Sequence, residues 1–117
     1  MKTLTKFAED VTREVKPGFI DPLTALAILE AVIQAVRMFR ECQAKHASPK
    51  AFKAAHPVIY EMRLRQAVSR SLRNHGLPQE HREAIVAAVD RKVVAATDAE
   101  VAAFQSEADE NFPPLAA

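Results

Sequence analysis

Side chains that could act as metal ligands or nucleophiles are few and widely spaced. A zinc site needs closely spaced pairs of ligands, with thiolate or carboxylate ligands nearby. The four histidines offer no such spacing. They are His46, His56, His75 and His81. The single cysteine, Cys42, lies in an apolar stretch, where a lone cysteine usually serves as a small buried hydrophobe. The sequence therefore predicts no metal site and no thiol nucleophile.

Motifs for phosphate binding and for acid–base chemistry are also missing from the sequence. The only glycines, Gly18 and Gly76, both fall at predicted helix ends, so there is no glycine-rich phosphate loop. Glu80, Glu83 and Asp90 could supply an acid or a base, but acids near a helix start mostly stabilise the helix dipole. We therefore expect a non-enzymatic protein with no cofactor and no small-molecule substrate.

Basic side chains give the strongest functional pattern. The net charge is only +1, but residues 37–82 carry +7 and residues 83–117 carry −5. A row of arginines can neutralise a phosphate backbone, or it can pair with the acidic C-terminal third within or between chains. It can equally be a solvated helix face. The candidate contacts for a phosphate or an acidic partner are Arg63, Arg70 and Arg73 on one helix face, with Arg65, Lys50 and Lys53.

Helical periodicity and composition predict the elements that carry these residues. Ala, Glu, Arg and Lys abound, while Trp is absent, which favours helices over strands. Residues 4–15, 22–45, 49–56, 58–74 and 79–96 are predicted helices, and Thr97 with Glu100 matches a capping box that opens a short last one. We therefore expect an all-α bundle of about five helices over residues 1–111. Because Pro113-Pro114 cannot continue a helix, we expect residues 112–117 to form an extended tail.

The second predicted helix is apolar around most of its circumference. Its polar residues, Glu30, Gln34, Arg37 and Glu41, form one narrow stripe. The other helices are Ala-rich, so we expect a second chain to help cover this central helix. The tail adds two apolar side chains beside a stiff Pro-Pro pair. The candidate subunit interface comprises Ile28, Val32, Ala35, Phe39, Phe112 and Leu115.

These patterns predict a non-enzymatic structural or interaction subunit that forms a homo-oligomer or joins a larger assembly. A component of a bacterial or phage particle is one concrete version, and a small nucleic-acid-binding protein that uses the arginine face is the alternative. The longest apolar stretch, residues 23–36, is too short to span a membrane and contains Glu30 and Gln34. One cysteine and no recognisable leader favour the cytoplasm or the inside of an assembled particle.

Overall fold

Six helices account for most of the chain. The computed structural model describes residues 2–15, 22–43 and 48–111, and no strand occurs among them, which confirms the predicted all-α class. The predicted tail, with Phe112 and Leu115, lies outside these residues. The helices are α1 (Lys2–Val15), α2 (Pro22–Gln43), α3 (Pro49–Ala55), α4 (Pro57–Asn74), α5 (Gln79–Ala95) and α6 (Asp98–Asn111).

Local capping interactions set three of the helix ends. The Ala51 N–H donates to Ser48 Oγ at 3.1 Å, which caps α3. Gly76 follows α4 with a φ of 74°, a left-handed conformation that side chains with a Cβ rarely adopt. Thr97 and Glu100 exchange the two hydrogen bonds of the predicted capping box, at 3.1 and 3.2 Å. The helix that follows is longer than expected, because no helix breaker occurs before Pro113.

Helix α2 is the central helix, as predicted, and it packs against α1, α3, α4 and α6. Ile28, Val32, Ala35 and Phe39 are each at most 3% exposed. All four belong to one continuous cluster of buried apolar side chains from the six helices. This corrects the expectation that they face a second chain, because the other helices of the same chain already cover them. Helix α6, which is longer than expected, is one of the helices that pack against α2.

The C-terminal helix is attached to the N-terminal helix by a capping carboxylate. Glu107 Oε1 accepts the Thr3 N–H at 2.9 Å and the Leu4 N–H at 3.3 Å. These amides lie in the first turn of α1, where no backbone acceptor is available within the helix. Burial alone would raise the pKa of Glu107, but the hydrogen bonds from Thr3 and Leu4 outweigh it, so the pKa lies below its ordinary value of 4.5.

We expect Val32→Asp to lower the free energy of unfolding by about 3–5 kcal/mol, because it places an unpaired carboxylate in the core. Urea unfolding followed by circular dichroism measures the loss. The matched control is Leu26→Asp on the same helix, where the side chain is 47% exposed and the expected loss is about 0.5 kcal/mol. Equal stability of the two variants would contradict the central placement of α2.

We expect the contact between Glu107 and α1 to make stability depend on pH. Since folding lowers the pKa of Glu107, its contribution is fully present above pH 4.5 and is lost as the pH falls through the folded-state value. Glu107→Gln should therefore reduce the difference in unfolding free energy between pH 6 and pH 3. Glu9→Gln, at an exposed position of α1, is the control. An unchanged pH dependence in Glu107→Gln would show that the contact does not form in solution.

Candidate interaction surface

A polar groove runs between α2 and α4, and it joins two features that the sequence shows separately. The polar stripe of α2 forms one wall, and the arginine face of α4 forms the other. The side chain of Glu41, which completes that stripe in the sequence, lies outside the described side chains. The groove is open to solvent, with a volume of about 740 Å³. Its polar lining comprises Glu30, Gln34, Arg37, Arg63, Gln66, Arg70, Ser71 and Asn74.

The charges of this groove are mainly basic. Arg37, Arg63 and Arg70 line it, while Arg73 is exposed one turn further along α4. His75 Nε2 lies 2.7 Å from Glu30 Oε2, so the one acid lining the groove already has a partner. Within the described part of the chain, Arg70 and Arg73 form no ion pair. These two guanidinium groups are available to an anionic partner.

Two of the predicted contact residues are placed elsewhere by their ion pairs. Lys53 Nζ lies 2.8 Å from Asp90 Oδ2 on α5. Arg65 contacts Glu61 at 3.4 Å and Glu83 at 3.5 Å. Both basic residues therefore pair with carboxylates of their own chain, and neither lines the groove. Lys50 is exposed on α3 and is also outside the groove.

The ion pair of Lys53 belongs to a structural network around the only tyrosine. Tyr60 is 1% exposed, and its hydroxyl donates to Asp90 Oδ1 at 2.9 Å. Burial, with the hydrogen bond to Asp90 and the charge of Asp90, raises the pKa of Tyr60 well above its ordinary value of 10. Contrary to expectation, Asp90 does not lie near a helix start. It lies instead in the second half of α5, where it joins α3, α4 and α5.

Three large apolar side chains are exposed at the start of α4. Val58 is 77% exposed, Ile59 43% and Met62 51%. They are not among the predicted contact residues, although they fall outside the apolar row of Tyr60 and Leu64 at helical spacing. Together with the two unpaired arginines they form one outward surface of α4. We call the α4 surface the set Val58, Ile59, Met62, Gln66, Arg70 and Arg73.

The remaining candidates for chemistry show no organised centre. Within the residues that the structure describes, no three His, Cys, Asp or Glu side chains are placed to hold a metal ion. His81 Nδ1 is buried without a hydrogen-bond partner, in a small cavity lined by Thr12 and Thr24 as well as by apolar side chains. His46 and the side chain of Cys42 are outside the described part of the chain. None of the described helices combines the length and apolarity needed to cross a membrane.

Comparisons with known proteins add no assignment to this surface. No protein-family model, no curated protein and no solved structure matches the chain.

Proposed function

We propose that this protein is a non-enzymatic structural or interaction subunit that self-associates through the α4 surface. The observation that carries the proposal is the exposure of Val58, Ile59 and Met62 on the same helix face as Arg70 and Arg73. Exposed apolar side chains that cluster in this way commonly mark contact sites for proteins. Methionine and arginine are also enriched at protein interfaces relative to the rest of the surface.

Changes at Val58 and Met62 can alter association between chains without altering the stability of the fold. Val58 and Met62 point away from the apolar row of α4 and take no part in the buried cluster. Their exposure to water is unfavourable in the single chain, so burial against a partner would stabilise the complex without rearranging the core. A bacterial or phage particle is one setting for such a subunit, and the cytoplasm or the particle interior is the location we propose for it.

We expect sedimentation at micromolar to millimolar concentration to show species heavier than one chain. The double variant Val58→Ser with Met62→Gln should weaken association by about tenfold or more, because it removes apolar area from the contact. Leu26→Gln is the matched control, since Leu26 is a comparably exposed apolar residue on a different helix. A monomer at every concentration would contradict the proposal, as would equal effects of the two changes.

Nucleic-acid binding is the second candidate function, and one observation favours it. Arg37, Arg63 and Arg70, which are well separated in the sequence, line the same open groove. Guanidinium groups gathered in a groove can follow a phosphate backbone and release its counterions. The exposed apolar side chains beside them find no counterpart on a phosphate backbone, and for this reason we place a protein partner first.

We expect electrophoretic shifts at low salt to distinguish the two functions. If the groove binds DNA or RNA, Arg70→Ala should weaken binding uniformly across sequences and should reduce its salt dependence. Arg13→Ala, at an exposed position of α1, is the control. No shift by the unmodified protein at low salt would eliminate the nucleic-acid function.

A further inference from the structure

An apolar depression lies between α1 and α2 on the outside of the fold, with a volume of about 270 Å³. Ala8 and Thr12 of α1 line one side, and Leu26 and Leu29 of α2 line the other. Leu29 is half-buried, and Leu26 is 47% exposed. Among the described residues, Leu26 is the one large exposed apolar side chain outside the α4 surface. The molecule therefore has a second apolar surface, which the proposed self-association does not cover.

A second depression adjoins the first at the start of α1. It has a volume of about 400 Å³ and is lined by Lys2, Thr5, Lys6 and Glu9. Thr5 and Glu9 line both depressions. The two are therefore continuous along α1, from its first turn to Thr12, and we call them together the α1 groove.

Helix α6 ends beside the start of the α1 groove. Phe104 packs edge-on against Phe7, with the ring centroids 5.1 Å apart. Three residues further along α6, Glu107 accepts two amide hydrogens from the first turn of α1. Helix α6 therefore runs antiparallel to α1, and it ends at Asn111. The chain that follows begins at the N-terminal end of α1, where the groove also begins.

We propose that residues 112–117 bind in the α1 groove of their own chain. This segment, which lies outside the described residues, is Phe112-Pro113-Pro114-Leu115-Ala116-Ala117 and contains no charged side chain. A polyproline II helix has three residues per turn, so Phe112 and Leu115 project from the same side of an extended backbone. In this arrangement Phe112 packs over the aliphatic stems of Lys2 and Lys6, and Leu115 enters the apolar depression between α1 and α2.

The lengths of the two segments agree with this arrangement. Asn111 lies four residues beyond Glu107, which is about 6 Å, and Ala8 lies five residues along α1 from Thr3, which is about 8 Å. The four residues from Asn111 to Leu115 span about 12 Å in the polyproline II form. With the length of its own side chain, Leu115 therefore reaches the part of the groove between Thr5 and Ala8.

The covalent link favours the segment of the same chain over the segment of a second copy. A short tether holds a binding segment at an effective concentration in the millimolar range. At micromolar protein, the same segment on other molecules is about a thousandfold more dilute. The stiff Pro-Pro pair also reduces the entropy that is lost on binding. Binding in the groove does not depend on self-association through the α4 surface.

Pairs of introduced cysteines test the inference. In a chain that carries Cys42→Ser, Thr5→Cys with Leu115→Cys should form a disulfide within one chain, because a disulfide needs its two Cα atoms within about 7 Å. Mass spectrometry of peptides and non-reducing gels identify the product. The matched control is Ala87→Cys with Leu115→Cys, since Ala87 is exposed on α5. We expect the control pair to oxidise about tenfold more slowly or less.

A double-mutant cycle gives an independent measurement. Leu115→Ala and Leu29→Ala, made singly and together, should show a coupling of about threefold or more in the unfolding equilibrium constant, because the two side chains are in contact. Leu115→Ala with Val58→Ala is the control cycle. Val58 is 77% exposed on α4, so we expect its effect to be additive with that of Leu115.

The outcomes separate this inference from the proposed function. A disulfide within one chain, formed faster than in the control, together with coupling between Leu115 and Leu29, would establish the binding of residues 112–117 in the groove. A disulfide between chains would show that the segment of a second copy occupies the groove, and would overturn binding within one chain. Equal oxidation of the two cysteine pairs, or additive effects of Leu115→Ala and Leu29→Ala, would also overturn it. Each of these results leaves the sedimentation test of the α4 surface unaffected.

Discussion

The rest of the structure depends on the burial of Tyr60. Its ring stacks on Phe39 of α2 at a centroid distance of 5.8 Å and contacts Phe52 of α3 at the same distance. The hydroxyl of this buried side chain needs an acceptor, which Asp90 of α5 supplies, and Lys53 balances the carboxylate charge. Four helices thus meet at one side chain. Successive residues of a helix point in fixed directions relative to one another. Because Tyr60 faces the core, the direction of every other residue of α4 is therefore also set.

That constraint explains why apolar residues of α4 remain exposed. With Tyr60, Leu64, Val68 and Leu72 facing the core, positions 58 and 62 must face solvent whatever residue occupies them. The same rotation turns the arginine face toward the polar stripe of α2, and the groove between them stays open to water. Water screening keeps the cost of gathering several guanidinium groups there small. The core and the surface are consequently set by one packing arrangement.

The sequence predicts local features well and partnerships across the chain poorly. Ser48, Gly76 and the Thr97–Glu100 pair act on their own neighbours, so their capping roles can be read from short spacings. Burial of Ile28 and Val32 follows from periodicity, but which helix covers them does not. The bond between Tyr60 and Asp90 joins residues 30 positions apart, and no pattern in either segment indicates it. The groove likewise combines two stripes whose relative orientation only tertiary packing determines.

The division of the basic residues into two groups has a physical consequence. Lys53 and Arg65 pair with carboxylates of the same chain, whereas Arg70 and Arg73 form no ion pair within the described part of the chain, so these two arginines leave unpaired positive charge on the α4 surface. If the α4 surface binds a partner, as we propose, an anionic patch on that partner would be attracted to Arg70 and Arg73 before contact. The exposed apolar side chains beside these arginines would then be buried as the two surfaces meet.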